Sequence, residues 1–169
     1  MASNAITGQM HDTDLGTHGG KYLTFSLSDE EYGLEILKVR EIIGIMDITV
    51  VPQTPPHVKG VINLRGKVIP VVDLRLKFGM PEAEYTDATC VIVVDVGMLA
   101  GIIVDTVQEV LDIDASQIDP PPPLGAAVDT TFLLGMGKVR DSVKILLDIN
   151  KVFDEELFHA SANVQPACG

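Results

Sequence analysis

Four aspartates, Asp73, Asp95, Asp105 and Asp148, sit at or beside the ends of short apolar runs. Carboxylates at strand ends can hold a divalent ion or trade a proton, the chemistry of a metal-dependent phosphatase-type enzyme. These four are spread over both halves of the chain, and such aspartates commonly accept from turn amides instead. The structural role is therefore expected. Of the histidines, His11 and His18 fall in a polar N-terminal stretch, His57 follows two prolines and His159 lies near the C-terminus. None has a partner at metal-ligand spacing. Cys90 stands in an apolar run and is expected to act as a small buried hydrophobe, whereas Cys168 is one residue from the end. No C-x-x-C or mixed Cys/His cluster indicates a disulfide framework or a zinc site. The usual nucleophile–base pairs and the G-x-S-x-G elbow are missing as well. Gly66-Lys67 and Gly137-Lys138 suggest phosphate loops, but Val61 or Phe132 stands where the upstream glycine belongs. Neither lysine is followed by Ser or Thr, and both pairs read as hairpin turns. No cofactor and no metal are expected, and the chain reads as a non-enzyme.

Charge narrows the partners. The 169 residues carry 24 acids against 12 Lys and Arg, a net charge of −12. Such a surface repels nucleic-acid phosphates and anionic lipid. The N-terminus lacks the basic start and apolar core of a signal peptide. The longest uncharged apolar run, Met98 to Val104, is far too short to span a bilayer. A soluble cytoplasmic protein is expected.

The elements that must position these residues are short. Residues 1–20 are polar and aperiodic and read as a flexible arm. "YLTFSL" and "YGLEI" read as strands around a "SDEE" turn. "GVINLRGKVIPVVDL" reads as a hairpin turning at Arg65-Gly66, and "CVIVVDV" with "LAGIIVDTV" as another turning at Gly97. "TTFLLGMGKV" and "VKILLDI" form a third. Helices are scarce: "LRLKFG" suggests one short helix closed by Gly79. Ile149, Val152, Phe153 and Leu157 keep helical spacing, with Asp148 or Asn150 as the cap.

These elements repeat. Gly33, Val39 and Glu41 recur as Gly101, Val107 and Glu109, each 68 residues on (101 − 33), and Pro52 recurs as Pro120. Beyond the insertion at "PPPPLGAAVD" the offset becomes 75, pairing Asp73 with Asp148 and Phe78 with Phe153. The "DPPPP" run favours an extended, stiff loop. A mainly β fold built by internal duplication follows, and a groove between its halves would be a natural binding site.

The strings "FSLSDEEYGLEILKVREI", "HVKGVINLRGKVIPVVDLRLKFG" and "VIVVDVG…GIIVDTVQEVL" strongly resemble the CheW family of bacterial chemotaxis coupling proteins. The resemblance covers about Lys21 to Leu157 in order. It implies two SH3-like five-stranded β-barrel subdomains with short helices, intertwined in one domain over 21–158. Their ranges would be about 21–80 and 89–150, with a helix near 149–158 and a flexible tail over 159–169. It also implies an adaptor joining the cytoplasmic tips of methyl-accepting chemoreceptors to the CheW-like regulatory domain of the histidine kinase CheA. Through those partners the chain would join membrane receptor arrays, without inserting in the membrane itself. The receptor-facing groove maps onto Leu23, Ile36, Val39, Glu41, Val107 and Val110. Arg65 matches an arginine important for coupling, and its planar guanidinium suits a carboxylate of a partner. An enzyme, a small-ligand sensor and a paralogue serving another sensory pathway are the alternatives.

Overall fold

The structure, a computed structural model, describes residues 19–121 and 132–153. Eleven strands are defined there: β1 (Gly20–Leu27), β2 (Glu30–Glu35), β3 (Val39–Gly44), β4 (Val58–Leu64), β5 (Lys67–Asp73), β6 (Cys90–Asp95), β7 (Leu99–Val104), β8 (Thr106–Ile113), β9 (Ile118–Asp119), β10 (Leu133–Val139) and β11 (Ser142–Leu147). One helix, α1 (Leu74–Lys77), follows β5, and a second begins at 149–153. The arm up to residue 18, the proline loop beyond Pro121, the rest of the C-terminal helix and the tail lie outside the described residues.

The strands form two sheets. Sheet I runs β8-β1-β2-β11-β10-β9 and sheet II runs β3-β6-β7-β5-β4. Pairing strands by the sequence repeat (β8 with β3, β1 with β6, β2 with β7, β11 with β5, β10 with β4) gives the same order in both. The duplication is thus a duplication of topology, and β9 adds a two-residue sixth strand to sheet I. Among the described residues no pairing between the named edge strands closes either sheet. In sheet II, Thr49 bridges Val61 through two backbone hydrogen bonds, bringing the chain beyond β3 onto the free edge of β4.

The ranges 21–80 and 89–150 mark the sequence repeats, but neither repeat is a sheet. Hairpin β1–β2 joins β8–β11 in sheet I, while hairpin β6–β7 joins β3–β5 in sheet II. The halves have exchanged hairpins, and the chain passes between sheets at a 3-10 turn, Ile36–Lys38, and again at Asp105. One parallel pairing stitches each exchanged hairpin in place: Gly33 lies opposite Leu146, and Gly101 opposite Val71. A Cβ on Gly33 would stand 3.0 Å from Leu146 Cδ2, and one on Gly101 2.8 Å from Val91 Cγ1. The repeated glycine marks where side chains crowd the backbone, not a turn.

Three apolar clusters explain the runs of Val and Ile. A shared core takes Leu23, Phe25 and Leu34 from sheet I and Ile92, Val94 and Ile102 from sheet II. Ile149, Val152 and Phe153 of the C-terminal helix cover it. Val91, Val93 and Ile103 face the other way into a smaller cluster of sheet II, and Tyr22, Ile113 and Leu146 form the counterpart in sheet I. β6 and β7 are therefore buried on both faces, which is why they read as continuous apolar runs without alternation. Burial of this apolar area is the dominant favourable contribution to such a fold.

Local readings meet two corrections. Gly137-Lys138 lies inside β10, and the turn is made by Arg140-Asp141, with Arg140 at φ 55°. A Cβ at Gly137 would stand 3.3 Å from Ile113 Cδ1 and 3.4 Å from Leu146 Cδ1, a tight fit against both side chains. Cys90 is only half-buried, its Sγ lying 3.4 Å from the Ala88 carbonyl oxygen.

Candidate functional site: the seam and the hairpin tip

The exchanged hairpins place the two crossovers, and the crossovers place the residues singled out by the resemblance. Ile36 opens the first crossover and Val39 follows it, and Val107 follows the second by two residues. All three are half-buried against the shared core, so they line the seam where the sheets meet. Val110 stands further along β8 and is 48% exposed. It lies directly opposite Leu23 on β1. Leu23 is only 3% exposed, because β1 is held between β2 and β8 with this side chain turned into the core. Leu23 therefore supports the seam from beneath and presents no surface of its own. Ile42, the repeat counterpart of Val110, is 43% exposed on β3.

Both edge strands carry a bulge at the same point of the repeat. Against β6 the register shifts between Val39 and Glu41. Against β1 it shifts where Val107 and Val110 face Phe25 and Leu23. In the second bulge the Thr24 hydroxyl donates to the Glu109 carbonyl oxygen at 2.8 Å. Bulges re-aim side chains at edges. The repeated glutamate belongs to this feature.

Glu41 and Arg65 lie together. Both guanidinium Nη atoms of Arg65 reach the Glu41 carboxylate, Nη1 at 3.0 Å from Oε2 and Nη2 on Oε1. The sequence reading aimed the Arg65 fork at a partner; in the free chain Glu41, 24 residues away, occupies it. The Arg65 hydrogen bond holds the Glu41 carboxyl below its ordinary range, and the bond to Glu41 raises Arg65. Arg65 sits at the β4–β5 hairpin tip with φ 51°, followed by Gly66 at φ 88°. A type I′ turn demands such angles, and the Gly66 N–H donates to Asn63 Oδ1 at 2.8 Å. An arginine in the left-handed region is uncommon and costs backbone energy. Beside this tip an open cavity of about 530 Å³ is lined by Arg40, Arg65 and Lys67 against Glu41 and Asp95, over buried Val93. Three cations against two acids make it a locally positive spot on a chain of net charge −12.

The aspartates do not converge. Asp73 is buried, accepting from the Arg75 backbone N–H at 2.9 Å as the cap of α1 and from the Tyr85 hydroxyl at 2.8 Å. Asp95 accepts from Arg40 at 2.6 Å and from the Gly97 N–H at 3.0 Å. Asp105 is gripped by Arg75. Asp148 precedes the second helix, its carbonyl oxygen accepting from the backbone N–H groups of Lys151 and Val152. Among the described residues no group of three His, Cys, Asp or Glu could hold a metal ion. His57 contributes its carbonyl oxygen to the Asp73 N–H at 2.8 Å. His11, His18, His159 and Cys168 lie outside the described residues. No helix among the described residues is long and apolar enough to cross a membrane.

A fold and surface of this kind have known relatives. The family model for the CheW-like domain matches residues 21–157. The chain is 43% identical to the chemotaxis protein CheW of Klebsiella aerogenes over 141 residues, covering 83% of this chain and 85% of that one. It is 35% identical to the chemotaxis protein CheW of Rhizobium meliloti over 142 residues, 83% and 92% of the two chains. The crystal structure of the scaffolding protein TtCheW from Thermoanaerobacter tengcongensis matches with a TM-score of 0.75 at 41% identity, over 80% of this chain and 93% of that one. With a doubled topology, exchanged hairpins and a family match along nearly all of both sheets, this chain belongs to the CheW family.

Proposed function

We propose that the chain is a chemotaxis adaptor that couples the cytoplasmic tips of chemoreceptors to the histidine kinase CheA, in the cytoplasm and without catalysing a reaction. The observation that carries this reading is the seam. It brings aliphatic residues from both repeats to one edge of the shared core and leaves Val110 and Ile42 open. A receptor tip is a helical hairpin, and one apolar helix face laid against an apolar seam matches that shape. Ile36, Val39, Val107 and Val110 supply contact, Leu23 supports them, and the Glu41–Arg65 pair sets specificity at the rim. Because Glu41 already holds Arg65, a carboxylate of a partner must displace or share that fork, so the pair acts as a unit. The aspartates give an enzymatic reading no support, since each of Asp73, Asp95 and Asp105 is engaged by a donor of its own chain.

The test is reconstitution of receptor fragments, CheA and the adaptor. Arg65→Glu places two carboxylates side by side at the tip and is expected to abolish most receptor-dependent kinase activation with the melting temperature preserved. Full activation by that variant would remove Arg65 from the interface.

A further inference from the structure

The two crossovers occupy equivalent positions in the repeat, yet they are built differently. Asp105 at the second aligns with Leu37 at the first (105 − 68 = 37). Leu37 is 91% exposed. Asp105 is a junction of three elements. Its backbone N–H donates to the Ser26 carbonyl oxygen at 3.1 Å, and its Oδ2 accepts from the Ser28 N–H at 2.7 Å, both on the β1–β2 hairpin of sheet I. Arg75, in α1 at the end of sheet II, grips the same carboxylate with two nitrogens, Nε to Oδ1 at 2.8 Å and Nη2 to Oδ2 at 2.7 Å. The side chains of this pair are 18% and 29% exposed, against 60% and 73% for Lys21–Asp112 within sheet I. Arg75 is itself tied down: Asp73 caps its helix, and its Nη1 lies 3.3 Å from the Pro81 carbonyl oxygen. The direction in which the chain leaves sheet II and enters β8 is fixed here, two residues before Val107.

We propose that Arg75 and Asp105 are positioning residues for the adaptor's binding seam: by clamping α1 of sheet II to the β1–β2 hairpin of sheet I, they set where β8 presents Val107 to a partner. The clamp touches no partner itself. A forked contact fixes direction as well as distance, which a lysine's single ammonium does not. At the equivalent point of the other crossover stands Leu37, which has no carboxylate to form such a clamp. The Arg75 hydrogen bond keeps the Asp105 carboxyl below the ordinary aspartate range, as a clamp formed by charged partners requires. The inference rests on reading the seam as the receptor-binding surface.

The experiment measures, on the full chain, affinity for a chemoreceptor-tip fragment and amide hydrogen exchange together. Asp105→Asn and Arg75→Lys are each expected to weaken tip binding about tenfold and to speed exchange at Ser28 and residues 106–108 at least about tenfold. Lys21→Gln, which breaks an ion pair inside sheet I, is expected to change neither. Thermal melts confirm that every variant is folded, and Arg75→Lys keeps the charge should Asp105→Asn lose stability. Faster exchange with unchanged affinity would reduce the clamp to a fold contact and overturn the proposal, as would unchanged exchange. If Val110→Asp also binds normally, the seam reading itself has failed; if Val110→Asp binds weakly while Asp105→Asn and Arg75→Lys bind normally, the positioning role alone is lost.

Discussion

Val110 and Leu23 face each other across β8 and β1, yet they should fail in different ways when changed. Val110 keeps 48% of its surface open, so a partner at the seam has about half a valine left to bury. Full burial of such a side chain is worth about 1.5–3 kcal/mol, and the remaining half about 1 kcal/mol. Val110→Ala should thus weaken receptor-tip binding roughly fivefold. Val110→Asp buries a carboxylate against apolar side chains and should weaken it by about 2 kcal/mol or more, upward of thirtyfold. Stability should move by only about 0.5 kcal/mol in Val110→Ala, because Val110 lies on an edge strand and is open to water. Leu23, fully packed, should show the reverse: Leu23→Ala should cost about 2–5 kcal/mol of stability. Its tip affinity, measured on the folded fraction, should change far less than in Val110→Asp. The assay is titration of the tip fragment by calorimetry, paired with urea denaturation of each variant. Native affinity in Val110→Asp would refute the argument, whatever the denaturation curves show.

Three further outcomes follow from the same geometry. Gly101→Ala should destabilise by about 1–3 kcal/mol in denaturant melts, because its Cβ meets the stiff, buried Val91, and should cost more than Gly33→Ala, whose Cβ meets the movable end of Leu146. Arg65→Gly should hold or raise the melting temperature by relieving a left-handed arginine, while receptor coupling falls; a drop of several degrees would show that the Glu41 pair supports the fold. Asp105 has its carboxyl pKa lowered by folding, so its contribution to stability is present above the unfolded value and lost as pH falls below about 4. The stability gap between the native chain and Asp105→Asn should therefore narrow below that pH and stay constant above it, and an acid titration of both melts would show whether it does.

The strands were legible because strand and turn chemistry is local. Val- and Ile-rich runs broken by Gly and charged pairs mark β4, β5, β6 and β7 without any knowledge of their neighbours. Gly66 and Gly97 were readable as turns because φ > 0 is a property of one residue. Gly137 misled for the same reason: it looks like a turn glycine, but it lies inside β10 and packs closely on Ile113 and Leu146, which no local pattern records.

The repeat, too, stood in the sequence alone, since two copies of one topology need the same small, apolar and bulge-forming residues at the same spacing. Which copy each hairpin packs with did not, because β1–β2 and β6–β7 would satisfy either sheet by pattern. That choice is made by the shared core, where Phe25, Leu34, Ile92 and Ile102 from both sheets bury one another. Arg65 with Glu41 and Arg75 with Asp105 were equally invisible, being 24 and 30 residues apart in sequence and adjacent only after the sheets have formed. Periodicity states which face of a strand is apolar; it takes the packed chain to say what that face meets.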